Sequence, residues 1–177
     1  MNYADIKRYD IANGTGVRVS LFVSGCTHHC KGCFNSETWD FSYGTPFTSE
    51  TIATILEYCK PDYIAGLSLL GGEPFEHDNQ IALLPLVKCF KERFPQKNIW
   101  CWSGYLFDRD ILNTMTAKWQ ETAEFLSYID ILVDGEFIEE QKNKNLVFRG
   151  SANQRIILVP ESLKANTILL WTPPKDF

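Results

Sequence analysis

The chain has 177 residues, of which 45% are hydrophobic and 22% charged, the make-up of a globular domain with a sizeable core. A net charge of −5 gives no electrostatic reason to expect nucleic acid or an anionic membrane as partner. Charges at Asp5, Lys7, Arg8, Asp10 and Arg18 argue against a signal peptide, and no apolar run reaches the ~20 residues that cross a bilayer, so a cytoplasmic location is expected.

Strands and helices alternate along the chain, which predicts an α/β fold with a largely parallel sheet in a single domain over residues 1–177. Val17–Val23 reads as the first strand, with Val17, Val19, Leu21 and Val23 on one face. A helix is expected to about Tyr58, with Thr48 as its cap, Phe47 stapled onto Ile52, and Glu50 at the positive end. Tyr63–Leu70 is the second strand. A helical stretch follows from about Asn79 to Arg93, with a break or a fresh start expected at Pro85. Asn98–Trp102 is the third strand. Asp108 is expected to cap a short helix to about Met115, and Thr122–Tyr128 forms another. Asp130–Val133 is the fourth strand, Phe137–Lys142 a short helix, and Arg155–Val159 a fifth strand. From Pro160 onward the tail, which ends in Thr172-Pro173-Pro174 and three more residues, carries no element signal.

Four unusual loops follow four of these strands: Ser24-Gly25-Cys26, Gly71-Gly72-Glu73-Pro74, Ser103-Gly104-Tyr105 and Asp134-Gly135-Glu136-Phe137. Sites in parallel α/β sheets form at the C-terminal strand ends, where such loops meet. Of six cysteines, Cys59, Cys89 and Cys101 are scattered among apolar residues and are expected to be buried and inert. Cys26, Cys30 and Cys33 instead crowd into a C-x3-C-x2-C run. Thiolate sulfur prefers soft metals: iron–sulfur clusters, zinc or copper(I). A structural zinc needs four ligands, so His28 or His29 would have to join the cysteines, and a zinc-binding interaction module without catalysis stays open. A 4Fe-4S cubane on three cysteines leaves one iron without a protein ligand, free to chelate an amine and a carboxylate.

The run Cys26-Thr-His-His-Cys30-Lys-Gly-Cys33, followed by Phe34, is similar to the signature of the radical S-adenosylmethionine superfamily, and Gly71-Gly72-Glu73-Pro74 resembles its GGEP motif. Further stretches resemble the family of activating proteins for the anaerobic ribonucleoside-triphosphate reductase. They are Phe22–Cys26, Lys31–Asn35, Thr38-Trp39, Trp102–Tyr105, Asp134–Phe137 and Arg149-Gly150-Ser151-Ala152-Asn153-Gln154. The resemblance runs from about Asp10 to Gln154, and the segment from about 156 to 177 departs from it.

The resemblance implies an incomplete parallel β/α barrel and a glycyl-radical activating enzyme. It implies a 4Fe-4S cluster on Cys26, Cys30 and Cys33 and S-adenosyl-L-methionine as cofactor, contacted by Gly32, Cys33, Phe34, Gly71, Gly72, Glu73 and Asp134. Reductive cleavage of that cofactor would yield a 5′-deoxyadenosyl radical, which takes hydrogen from a glycine of the large reductase subunit. An electron donor such as flavodoxin is implied too. The runner-up is an activator of another glycyl-radical enzyme, such as pyruvate formate-lyase.

Glycines at 71 and 72 suit close backbone approach to a ligand, and the Glu73 carboxylate suits an ammonium group. Asp134 is either a cofactor ligand or the cap of the helix near Phe137. Phe34, Trp102 and Tyr105 are either cavity wall or core. His28 and His29 are expected as exposed polar residues or donors to cluster sulfur. Lys31, Arg149 and Arg155 are either functional cations or surface charges.

Overall fold

The computed structural model describes residues 1–173; Pro174 of the tail lies outside the described residues. A seven-stranded sheet runs through the molecule in the order β3-β1-β2-β4-β5-β6-β7. Its strands are β1 (Asn2–Asp10), β2 (Val17–Val23), β3 (Thr45–Pro46), β4 (Ile64–Gly71), β5 (Asn98–Ser103), β6 (Ile131–Asp134) and β7 (Arg155–Leu158). The central run β2-β4-β5-β6 is parallel, while β1 joins β2, and β7 joins β6, antiparallel. The expected parallel centre is present, and both flanks reverse direction. All five expected strands are found within a residue or two, and β1 and β3 are additional.

Among the described residues four helices lie between strands, α1 (Ser49–Tyr58), α2 (His77–Arg93), α3 (Thr116–Lys118) and α4 (Gln120–Ser127), and α5 (Val159–Ala165) follows β7. Thr48 caps α1 as expected, its hydroxyl accepting from the Thr51 amide while Thr51 reciprocates. Pro85 does not break α2, which runs unbroken past it. The missing amide would have met the carbonyl of Ile81, an exposed residue whose carbonyl can turn to water. Asp108 caps nothing. The segment Phe107–Met115 is instead a wide helical turn in which the Ile111 amide reaches back five residues to the Leu106 carbonyl at 3.0 Å. Asp110 takes the Leu106 amide at 2.9 Å, and Asp108 turns to Arg155. The short helix expected at Phe137–Lys142 is a single tight turn, Glu139–Gln141. Helix α5 begins at Val159, where the fifth strand was expected to end, and runs into the tail with Pro160 in its first turn, a position that tolerates proline.

Alternation along the strands divides the core in two. On one face Leu21, Leu69, Cys101 and Leu132 pack against Ile55 of α1, Leu83, Val87 and Phe90 of α2, and Phe125 of α4. Each fully buried side chain of this size contributes about 1.5–3 kcal/mol. On the opposite face Trp100, Ile131, Val133 and Ile156 are covered by Phe148 and Trp171, from the loop before β7 and from the tail. The tail gets there by running beside β7: the Leu158 amide meets the Leu169 carbonyl at 2.9 Å, and the Trp171 amide meets the Ile156 carbonyl at 2.8 Å.

This second face also buries a charge at the amino-terminal ends of the parallel strands. Arg18, fully enclosed, donates to Ser68 Oγ, Asn98 Oδ1 and the Leu67 carbonyl at 2.7–2.8 Å, and lies 5.7 Å over the Trp100 ring. Burial pushes its guanidinium down to about 10, and the hydrogen bonds offset the cost of enclosing it. Arg18 and Trp100 thus fill that face at the amino-terminal ends of the strands, away from the end where the loops gather. Cys59 and Cys101 are buried as expected and Cys89 partly so; all six cysteines are free thiols. Burial pushes the Cys59 thiol up to about 12, in keeping with an inert role.

Candidate active site

Register brings the four loops together. Val23 pairs with Gly71, Leu69 with Cys101 and Ser103 with Asp134, so β2, β4, β5 and β6 end side by side. Above these ends lies a cavity of about 180 Å³, lined by Cys26, Cys30, Cys33, Gly71, Gly72, Glu73, Gly104 and Gly135. His28, Phe34, Trp39, Trp102, Phe137 and Gln154 are among the other residues of its wall. Residues drawn from four loops of one strand edge share a single space, as the sequence led us to expect.

The three cysteines are half-buried. Burial pushes the Cys26 thiol up to about 12 and raises Cys30 as well, so both hold their protons at neutral pH until a metal drives them off. Among the described residues no three His, Cys, Asp or Glu side chains converge on a single ion. His29 lies stacked on Trp39 at 4.7 Å, and both ring nitrogens of His28 face carboxylates. Three thiols spread around a cavity suit a body of several atoms, as an iron–sulfur cubane is, more than one small ion.

Glu73 is the most committed side chain in the site. Only 1% exposed, its carboxylate accepts from the Phe75 amide at 2.8 Å, Ser103 Oγ at 2.9 Å, the Gly104 amide at 2.7 Å and His28 Nε2 at 3.1 Å. It ties three loops together before any ligand arrives. Gly72 has a comparable duty. A Cβ there would stand 2.6 Å from the Gly25 carbonyl oxygen, so the absence of a side chain is demanded by neighbouring backbone. The Gly72 amide donates to the Val23 carbonyl, and the Glu73 amide to the Gly25 carbonyl, at 2.7 and 2.8 Å. Gly71 has φ +101°, a conformation that favours glycine.

His28 is neither exposed nor turned to sulfur. Its Nδ1 faces Glu136 and its Nε2 faces Glu73, each at 3.1 Å, and its ring meets Tyr105 edge-on at 4.3 Å. Burial depresses the imidazole pKa, but the two carboxylates outweigh it and the net shift is upward. Asp134 lies fully buried beside the cavity, not on its wall. Its carboxylate accepts from Arg155 and from the Phe107 amide, so it anchors the wide turn after β5 and does not cap the turn near Phe137. Gly32, at φ +73°, is exposed and lies against Glu139 rather than on the cavity wall. Phe34, 71% exposed, stands on the rim near Phe137, with Lys142 Nζ 4.4 Å over its ring. Lys31 pairs with Glu139 at 3.1 Å. Arg149 donates to the Gln154 carbonyl at 2.6 Å, and Arg155 also binds Asp108 at 2.7 Å.

Sequence reasoning missed several supports. Glu76 takes the Thr27 amide at 2.9 Å and its hydroxyl at 2.5 Å, fixing the cysteine loop to the start of α2. Asn79 donates to the carbonyls of Ser24 and Glu73 at 3.0 and 2.9 Å. Gln154 holds the last loop by taking the Gly150 amide at 2.8 Å and donating to the Gly135 carbonyl at 2.9 Å. Glu76 and Asn79 were signalled only by polar residues crowded just beyond the Gly71–Pro74 motif, and Gln154 only by its place in the Arg149–Gln154 stretch, which did not indicate its partners.

Residues 12–157 match the family model described as a 4Fe-4S single cluster domain. The chain is 43% identical over 158 residues to the anaerobic ribonucleoside-triphosphate reductase-activating protein of Pasteurella multocida, covering 88% of this chain and 96% of that one. It is 45% identical over 158 residues to the protein of that name from Haemophilus influenzae, covering 88% and 97%. The chain belongs to the family of anaerobic ribonucleoside-triphosphate reductase-activating proteins. A relative of the same name from Enterobacteria phage T4 is 41% identical over 156 residues, covering 88% of this chain and 93% of its own. Relatives of this activating-protein family are matched almost end to end. The family model stops inside β7, so α5 and the tail beside β7 lie beyond it.

Proposed function

We propose that this chain is a glycyl-radical activating enzyme of the radical S-adenosylmethionine type, acting on the anaerobic ribonucleoside-triphosphate reductase. Its family, and the names its relatives carry, support that assignment. The observation that carries it is the sharing of one cavity by the free thiols of Cys26, Cys30 and Cys33 and the backbone of Gly71 and Gly72, at the ends of parallel strands. When bound, a 4Fe-4S cluster and S-adenosyl-L-methionine supply reductive cleavage to an organic radical able to take hydrogen from a glycine of the reductase large subunit.

The chain's own residues do the rest. Cys26, Cys30 and Cys33 hold the cluster and leave one iron to the cofactor. Gly71, Gly72 and Glu73 form the floor beside it, with Glu73 acting chiefly by holding that floor in place. Gly32 shapes the cysteine loop, Phe34 lines the rim, and Asp134, held by Arg155, fixes the turn at Phe107 beside the cofactor site. Trp39, Trp102 and Phe137 keep water from the reacting atoms. In the same reading β2-β4-β5-β6 are the strands of an incomplete β/α barrel in one domain over 1–177. The protein works in the cytoplasm with a flavodoxin-like electron donor; no helix among the described residues is long and apolar enough to cross a membrane.

The test is anaerobic reconstitution with iron and sulfide. The protein should turn brown with one cluster per chain and cleave S-adenosylmethionine. Cys30→Ala should lose the colour and the cleavage together, and retained cleavage in that variant sinks the assignment. With reductant and the cognate reductase subunit, a glycyl radical should appear by electron paramagnetic resonance. Cofactor cleavage without that signal moves the target to another glycyl-radical enzyme, while stoichiometric zinc without iron favours a non-catalytic module.

A further inference from the structure

The cysteine loop has to be held at a fixed distance from three other loops, and several contacts tie it to one or another of them, among them Lys31 to Glu139 at 3.1 Å. The contact that joins it to all three comes from one side chain. His28 sits between Cys26 and Cys30 and reaches Glu73 Oε2 after β4 and Glu136 Oε1 after β6, at 3.1 Å each. Between them its ring lies flat against the loop after β5. A Cβ placed on Gly104 would come within 2.6 Å of His28 Cδ2 and Nε2, and the ring meets Tyr105 at 4.3 Å. Gly104 therefore has no side chain because the His28 ring occupies that space.

We infer that His28 is a positioning residue, the single side chain that locks the cysteine loop to the loops after β4, β5 and β6 and so fixes the thiols relative to the cofactor floor. Each ring nitrogen serves one carboxylate, so no other residue type of that size bridges both and still stacks on Gly104. The two ends are anchored unequally. Glu73 is buried and held by its other donors, Phe75, Ser103 and Gly104. Glu136 is exposed, and its loop is steadied by Asn153, which donates to the Glu136 carbonyl at 2.8 Å. Loss of His28 thus weakens the hold of all three neighbours on the cysteine loop, leaving Lys31–Glu139 and the Glu73 amide on the Gly25 carbonyl, whereas loss of the Glu136 carboxylate weakens only one. Thr27, bonded to Glu76, remains as a tether at the loop's start and keeps it from falling away altogether.

The inference rests on the proposed active site only for its cofactor arm, and its first test needs no cluster. Amide hydrogen exchange is followed in the full-length metal-free protein, in wild type, His28→Ala and Glu136→Ala. In His28→Ala, amides of residues 26–33, 103–106 and 134–138 should exchange about ten-fold faster or more, with the central strands unchanged. In Glu136→Ala, residues 26–33 and 134–138 should loosen while 103–106 keep their protection. Unchanged exchange at 103–106 in His28→Ala overturns the inference. If that variant does not fold, unchanged exchange at 26–33 in Glu136→Ala overturns it instead. In the reconstituted protein, His28→Ala should keep wild-type iron and sulfide because the thiols are intact, while its KM for S-adenosylmethionine rises about ten-fold or more and kcat falls less. An unchanged KM also overturns it. Wild-type protein that takes up no iron sinks the active-site reading and leaves the exchange experiment as the judge of His28.

Discussion

Single residues in the site are constrained by their neighbours before they are constrained by any ligand. Gly72 is the clearest case, because a methyl group there collides with backbone rather than with a movable side chain. Gly72→Ala should cost about 1–3 kcal/mol, the range for forced overpacking, read as a lower midpoint in urea unfolding of the metal-free protein. An unchanged midpoint would mean that the Gly25 carbonyl can swing aside. The spacing of Cys26, Cys30 and Cys33 was legible in the sequence because the chemistry that needs it is local. The partners of Glu73 and Asp134 were not. Glu73 is satisfied by Ser103 and Gly104, thirty residues on, and Asp134 by Arg155, and no pattern along the chain announces such pairings. Both carboxylates read as free to bind a ligand, whereas folding commits them to the protein.

Among the elements, the parallel strands were legible because apolar residues run through them and glycine-rich turns end them. Strand β1 was not, since it lies near the sheet's edge and its residues are mostly half-exposed, which erases the apolar signal. Helix α2 shows a different failure: proline is a local warning, but packing of Leu83, Leu86, Val87 and Phe90 on the sheet carries the helix past it. Pro85→Ala should therefore stabilise the protein by about 1–3 kcal/mol, since it restores an amide to a helix that already exists. A lower thermal midpoint in that variant would show that the ring itself is needed for packing. The tail looked structureless for want of periodicity, yet Trp171 packs 5.5 Å from Trp100 and 5.9 Å from Phe148. Trp171→Ala should cost about 1–3 kcal/mol, less than a fully enclosed tryptophan, because the side chain is only half-buried. The measurement is the shift in urea midpoint, and no shift would mean that the tail adds nothing to the far face.

For the molecule as a whole, Arg155 links the start of β7 to the end of β6 and to the turn after β5 through Asp134 and Asp108. The hydrogen bond from Arg155 holds the Asp108 carboxyl below the usual range. A carboxylate depressed in the folded state adds stability above its unfolded pKa of about 3.9, and that stability is lost as pH falls through the lower folded value. Wild type should thus exceed Asp108→Asn in thermal midpoint at pH 7, with the gap shrinking as pH falls below the unfolded carboxyl value. A gap that persists in acid would assign the effect to shape rather than charge. The sheet's two borders carry a further consequence. At one border the chain's own residues Leu169–Trp171 take up the backbone groups of β7. At the other, β3 covers only Asn2 and Tyr3 of β1, and the remainder bears Asp5, Lys7 and Arg8 and is interrupted in register. Neither β7 nor β1 therefore offers a foreign strand an uncharged, regular ribbon of amides to zip onto. Crowding of these molecules should accordingly not drive them into stacked β-aggregates joined through β1 or β7.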